Sequence, residues 1–353
     1  MMRSSYSGDE VDILLKDISG LVEPLPASVR EKRIQSGTHY CEMLPLEYVP
    51  TADYMQAYQQ ALQNYAGSTA LAAGILAEKL YQKKGKDLVL VSLARAGIPI
   101  GILLRRYLLQ KYGVPVKHYA ISIIRGRGID KNAVDHILSR HPREAVQFID
   151  GWIGKGAILG QLREALQDDP GLDTELGVLS DPAGLTELCG THEDILIPSS
   201  CLNATVTGLI SRTFLREDII RPTDFHGAAY YEELEDADLS EAFLHAIQER
   251  FDMQCTAETK PYAGVPGEQV VRSLMEEYHV RQAQLVKPGI GEATRVLLRR
   301  IPWKIIVNPV YQYAPELQHI RQLALEKGVP CEISRVPLGN YKVCGLIRQL
   351  SDI

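Results

Sequence analysis

The sequence lacks the features that would place it across a membrane, outside the cell or around a structural metal. In 353 residues no apolar run approaches the ~18 needed to cross a bilayer. The opening MMRSSYSGDEVD has no apolar segment behind Arg3, so it does not read as a signal peptide. Cys41, Cys189, Cys201, Cys255, Cys331 and Cys344 are scattered, with no C-x-x-C pair. That argues against a disulfide framework or zinc site and for reduced thiols in a cytoplasmic protein. There is no internal repeat and no low-complexity segment. What remains is ordinary globular composition, 45% hydrophobic and 23% charged, in a chain long enough for two domains.

Charge is unevenly spread. The formal total is -6, yet residues 271–353 carry 12 Lys/Arg against 7 Asp/Glu, leaving 26 against 37 on residues 1–270. A basic end on an acidic body points to a polyanion as partner of the C-terminal part, against the plain alternative of random surface charge.

The pattern divides the chain into an extension (residues 1–52), a large domain (53–255) and a small one (265–353), joined by TAETKPYAGVPGE. Helical spacing runs from Asp53 to Lys84 as one helix or two. Strands are then expected at 87–93, 116–124, 146–150, 176–179 and 194–198, with helices at 98–112, 134–140, 155–166 and 204–215. Such alternation gives parallel βαβ units, an α/β fold with a doubly wound, mostly parallel sheet. The tail repeats helix, strand, helix, strand, helix and strand in a smaller α/β layer.

Ligands of open α/β sheets sit at the carboxyl ends of strands, which singles out three loops. In Leu93–Pro99, Arg95, Ala96 and Gly97 let backbone N–H groups and a cation approach an anion; the alternative is a tight turn with a surface arginine. In the second, Arg125 and Arg127 stand between glycines and could close over developing charge, or form a flexible basic turn. The third, Phe148–Ala157, ends a strand at Asp150 and turns through Gly151, Gly154, Lys155, Gly156 and Ala157 into a helix. There Asp150 could hold ribose hydroxyls and the turn a phosphate. Ile149 stands where a Walker A loop needs glycine, so a triphosphatase P-loop is rejected.

Together these loops resemble type I phosphoribosyltransferases over roughly residues 55–250. The resemblance implies that phosphoribosyl pyrophosphate binds with Mg2+, with Asp150 on the ribose and Arg125 and Arg127 on the leaving diphosphate. Two departures stand out: Ile149 replaces the first of two adjacent acids, and Lys155 intrudes in the turn. A second resemblance spans more of the chain. GWIGKGA, SIIRGRGID and IPSSCLNATVTGLISRT look like a bacterial family found near tellurite-resistance genes, described as phosphoribosyltransferase with a Pelota-like tail and also labelled StiP cysteine proteases. That label makes Cys201 an alternative nucleophile if a helix N-terminus lowers its pKa; a small buried thiol at a strand end is the plain alternative. Ser199, Ser200, Asn203 and Thr205 around it suit base or phosphate binding, or simple helix capping.

In the tail, Gly289, Gly291, Glu292 and Arg295 open a helix, and a strand, Val329-Pro330 and Leu338-Gly339 follow. This order resembles Pelota and ribosomal proteins that grip kinked RNA, with Gly291 in the place of the usual Asn and Arg295 in that of Lys. The resemblance implies RNA phosphates at the helix start. The expected function is therefore a phosphoribosyltransferase-type glycosyltransferase, acting on a ribose-phosphate molecule in stress-linked nucleoside-like synthesis, with an RNA-binding tail. A non-catalytic phosphoribosyl-sensing RNA regulator and a cysteine peptidase using Cys201 are the alternatives. No membrane partner is expected, and an oligomer is compatible with the sequence.

Overall fold

The computed structural model describes residues 2–47 and 50–349; residues 350–353 of the expected small domain lie outside the described residues. The N-terminal extension carries two short strands, β1 (Asp12–Ile13) and β2 (Lys16–Asp17), and a helix, α1 (Ala27–Gln35). Next, α2 (Ala52–Lys84) is one 33-residue helix. Thr51 starts it by accepting the Tyr54 N–H at 3.3 Å. Ala66, Ala70, Ala73 and Ala77 recur on its buried face, and their small side chains let the helix lie close against the sheet.

The alternating pattern then builds β3 (Val89–Ala94), α3 (Gly97–Tyr112), β4 (Lys117–Ile124), β5 (Gly128–Ile129) and α4 (Lys131–Leu138). It continues with β6 (Val146–Trp152), α5 (Ala157–Ala165), β7 (Gly177–Ser180) and β8 (Cys189–Thr191). The sheet order is β1-β4-β3-β6-β7-β8, every neighbouring pair parallel, with β5 folded back antiparallel on β4. Strand β3 is buried on both faces from Val89 to Leu93, which is why its sequence is an unbroken apolar run.

Two expected elements are absent. Asp194–Pro198 is not a strand: Pro198 cannot donate to a ladder and opens a 3-10 turn (Pro198–Cys201) instead. Ala204–Leu215 is not a helix but a 3-10 turn (Ala204–Val206) followed by irregular backbone. Three β-branched residues, Thr205–Thr207, and Gly208 at φ 73° disfavour helical continuation there.

Strand β9 (Gly227–Ala228) pairs with β2, and α6 (Ser240–Gln248) packs on α2 and α3. Residues 249–266 carry no helix or strand. The tail is α7 (Gly267–Glu277), β10 (Val286–Pro288), α8 (Ile290–Arg299), β11 (Pro302–Val307), α9 (Gln318–Glu326), β12 (Cys331–Ile333) and β13 (Val343–Ile347). Its sheet runs β10-β13-β11-β12, with β13 antiparallel to both neighbours. The sequence reading missed β13.

The core of the tail is continuous with that of the body. Ile290, Leu297 and Ile320 join the cluster that holds Leu76 and Leu103. Val270, Val286 and Leu346 join the cluster that holds Phe148 and Val178. Burial shared in this way makes the seam between the two parts a packed interior.

Candidate active site

Where α1, the carboxyl end of β6 and the start of α8 converge, a cavity of about 730 Å³ opens. That volume suits a small ligand or a few residues of peptide. Of the expected phosphate loop, Asp150, Gly154, Lys155, Gly156 and Ala157 line it. Asp150 lies within β6, two residues before its end and not at the expected strand end, and its carboxylate accepts the Gly151 N–H at 2.7 Å. Burial raises its pKa to about 6, against the pull of that N–H and of Arg295.

The turn itself is not free to cradle a phosphate, because the tail covers it. A Cβ on Gly154 would sit 2.8 Å from the Glu292 side chain, and one on Gly291 would sit 2.4 Å from the Trp152 ring. These two glycines permit the close approach of α8 to β6. Arg295 lies over the Trp152 ring at 4.2 Å and reaches Glu292 at 3.3 Å. Gly289, at φ 93°, precedes Ile290, whose N–H donates to Asp194 at 3.0 Å. The Lys342 N–H donates to the same carboxylate at 2.9 Å. The tail's expected RNA-binding helix start thus faces the body, with a body carboxylate where an RNA phosphate was expected.

Cations dominate the cavity wall. Lys32 comes from α1; Arg125, Lys155 and Arg212 from the body; Lys287, Arg295 and Arg300 from the tail; the carboxylates among them are Asp150 and Glu292. Burial, then the charges of Lys287 and Arg125, lowers the Lys155 pKa to about 7. Burial, then Arg30, lowers that of Arg212 to about 9. Burial pushes the Glu292 pKa up, but Lys287 and Arg295 outweigh it and hold the carboxyl below its ordinary value. Among the described residues no group of three His, Cys, Asp or Glu side chains is placed to hold a metal ion. Two carboxylates set among cations do not fit the expected Mg2+.

Other candidate residues lie elsewhere. Arg95 is buried and donates to Glu47 at 2.7 Å and to the Ile210 carbonyl at 2.5 Å, so neither it nor its neighbours Ala96 and Gly97 line the cavity. The loop expected to be mobile is a tied hairpin: β5 pairs with β4, and the Gly126 N–H donates to Gln161. Arg127 points to Glu42 at 3.0 Å and not into the cavity. Ser199, Ser200 and Thr205 are buried, and Asn203 accepts from Arg299 of the tail. None of the four lines the cavity.

Cys201 is wholly buried at the end of its 3-10 turn, with no helix N-terminus to activate it; burial raises its pKa to about 12. Among the described residues no histidine bonds to it.

Sequence reading missed two cysteine–histidine contacts. Cys189, buried in β8, lies 3.7 Å from His192, which in turn lies 3.8 Å from the Asp181 carboxylate. Neither Cys189 nor His192 lines the cavity, and burial raises the Cys189 pKa to about 12. The second contact is tighter: His39 Nδ1 is 2.9 Å from Cys41 Sγ. His39 Nε2–H donates to the Arg125 carbonyl at 3.0 Å, and Nδ1 accepts the Cys41 N–H at 3.4 Å. Both bonds assign the tautomer whose Nδ1 can take the thiol proton. A nucleophile, a base and a group orienting the base are therefore in place. The intervening Tyr40 and Arg125 both line the cavity, while His39 and Cys41 themselves lie behind it. Burial raises the Cys41 pKa to about 11 and lowers that of His39, so the resting pair is neutral. The only sequence trace of this pair is the spacing His39-Tyr40-Cys41.

Comparison with known proteins bears on these cysteines. Residues 4–248 match a family model described as tellurite-like stress resistance cysteine protease StiP. Residues 265–349 match the PELOTA RNA binding domain. A curated relative from Acinetobacter baylyi, named cysteine protease StiP, is 34% identical, covering 98% of this chain and 94% of the relative. No solved structure matches. These findings overturn the expected phosphoribosyltransferase: neither the family model nor the relative carries that activity in its name, and both are named for a cysteine protease. The fold stands as a mostly parallel α/β body with a small C-terminal α/β tail, and the StiP resemblance of the sequence motifs holds. The chain belongs to the tellurite-like stress resistance cysteine protease family, StiP.

Proposed function

We propose that this chain is a cysteine peptidase with Cys41 as nucleophile and His39 as base. The observation that carries this reading is the 2.9 Å contact between His39 Nδ1 and Cys41 Sγ, with His39 held from behind by the Arg125 carbonyl. The relatives' name supplies the reaction class. In the reaction His39 takes the thiol proton and the thiolate adds to the scissile carbonyl. The C–N bond breaks as the imidazolium returns that proton to the leaving amine. Water, deprotonated by His39, then cleaves the thioester and restores the thiol. Because Cys41 is fully buried beside the Leu215 carbonyl, turnover requires the His39–Glu42 turn to open. RNA contact through Gly289–Arg295 would require that helix start to leave Asp194 and Trp152.

Hydrolysis of a broad peptide library by wild-type, Cys41→Ala, His39→Ala, Cys189→Ala and Cys201→Ser chains tests the reading. Loss by more than about a hundredfold is expected for the first two variants, with the others within about threefold of wild type. Circular dichroism checks that each variant folds. Activity retained in Cys41→Ala, or no hydrolysis by wild type, contradicts it.

A further inference from the structure

Seven cations against two carboxylates leave the cavity wall with a large formal excess of positive charge. The excess continues behind the wall. Arg30 is 3% exposed, with Nε and Nη2 lacking any hydrogen-bond partner; Arg212 and Arg300 act on it against the carboxylates of Glu31 and Glu47. Arg295 Nε is likewise buried and unpartnered. The Arg212 guanidinium has no carboxylate partner among the described residues and rests over the Tyr40 ring at 5.0 Å. Buried, unmatched guanidinium groups are costly, and a bound anion removes that cost.

The chain already shows which anion fits. Glu292 is held between Lys287 at 3.7 Å and Arg295 at 3.3 Å. Glu31 takes Arg300 through two bonds of 2.6 and 2.9 Å. Both are side-chain carboxylates on a backbone. The glycine turn that would suit a phosphate is already covered by the Glu292 side chain. Apolar side chains, among them Ile34, Trp152 and Leu285, separate the cations and suit a peptide's own apolar groups. Tyr40 and Arg125 connect this wall directly to the His39–Cys41 pair.

We propose that the cavity is the specificity site of the peptidase and takes an acidic peptide segment, its Asp or Glu side chains bound first by the unpaired Arg212 and then by Lys287 and Arg300, which share their charge with Glu292 and Glu31. This rests on the Cys41 reading, so binding and cleavage are measured separately. Binding is read by fluorescence anisotropy of a labelled glutamate-rich octapeptide and its glutamine counterpart on full-length Cys41→Ala. The glutamate peptide should bind at least about tenfold more tightly, and high salt should erase that advantage. Arg212→Gln and Lys287→Gln should each erase it too, while Arg143→Ala, whose side chain pairs with Asp169 on the surface, should keep it. Equal affinity for the two peptides overturns the proposal. So does displacement of neither peptide by an excess of the unlabelled glutamate form. Binding of inorganic triphosphate without binding of the glutamate peptide also overturns it and makes the cavity a phosphate site. Glutamate-selective binding in Cys41→Ala, together with a wild type that cleaves nothing, leaves the acidic site standing and removes only the peptidase.

Discussion

The turn after β3 is plugged, whereas the turn after β6 is roofed by the tail yet borders a cavity, although the two strands lie side by side in the sheet. Arg95, after β3, is clamped by Glu47 of the N-terminal extension, whose other oxygen accepts the Ala204 N–H at 2.8 Å. Asp150, near the end of β6, and Lys155, after it, line a cavity walled by α1 and the tail. Both turns have the strand–glycine–helix form that receives ligands in α/β folds. What separates them is the segment that arrives from elsewhere in the chain: a carboxylate that plugs one turn, and a helix start bearing Glu292 that roofs the other. A site here is decided by what docks on the sheet more than by the loop itself.

The largest effect that would break this comparison comes from the plug. Glu47→Ala leaves the Arg95 guanidinium buried without its carboxylate, and unfolding in urea should show a loss of about 3–5 kcal/mol. An unchanged midpoint would mean that water already serves Arg95 and that the first turn is not shut. Next comes the roof. Gly291→Ala drives a methyl group against the Trp152 ring, and about 1–3 kcal/mol should be lost. Proteolysis within residues 249–266 should quicken as the tail loosens. No change in either would mean that α8 does not depend on its seat.

Smaller effects follow from titration. Asp150 holds its proton to about pH 6 when folded, whereas an unfolded Asp loses it near ~3.9. Stability therefore falls as pH rises between those values. Lys155, lowered to about 7, acts with the opposite sign: the unfolded chain keeps a proton to ~10.4 that the folded chain has given up. Stability therefore rises with pH above 7. Asp150→Asn should flatten the first slope and Lys155→Met the second, each by on the order of 1 kcal/mol once solvent screening of these half-buried groups is allowed for. Parallel slopes in wild type and variants would show that neither group carries the burial described.

Much of the scaffold was legible because it is local. The apolar runs of β3 and β6, the helix from Gly97 to Tyr112 and the glycine-rich turn at Gly154 all declare themselves within a few residues. The site was less legible because it is made at long range. Nothing near Arg95 announces Glu47, 48 positions away, and nothing near Trp152 announces Gly291. Cys201 attracted notice through its motif, yet the fold buries it without a base. The thiol with a histidine at bonding distance, Cys41, sits in the N-terminal extension, where no motif marks it. The fixed glycine loop suggested phosphate; only the docked tail shows that a carboxylate already lies against it.

The account turns most directly on which thiol meets a substrate-like electrophile. A peptidyl epoxide bearing glutamate residues, incubated with the full-length chain and located by mass spectrometry of its tryptic peptides, reads this without relying on a substrate's cleavage. The predicted result is a single adduct on Cys41 that disappears in His39→Ala and is suppressed by excess glutamate peptide. An adduct on Cys201 or Cys189 with Cys41 unmodified would contradict it.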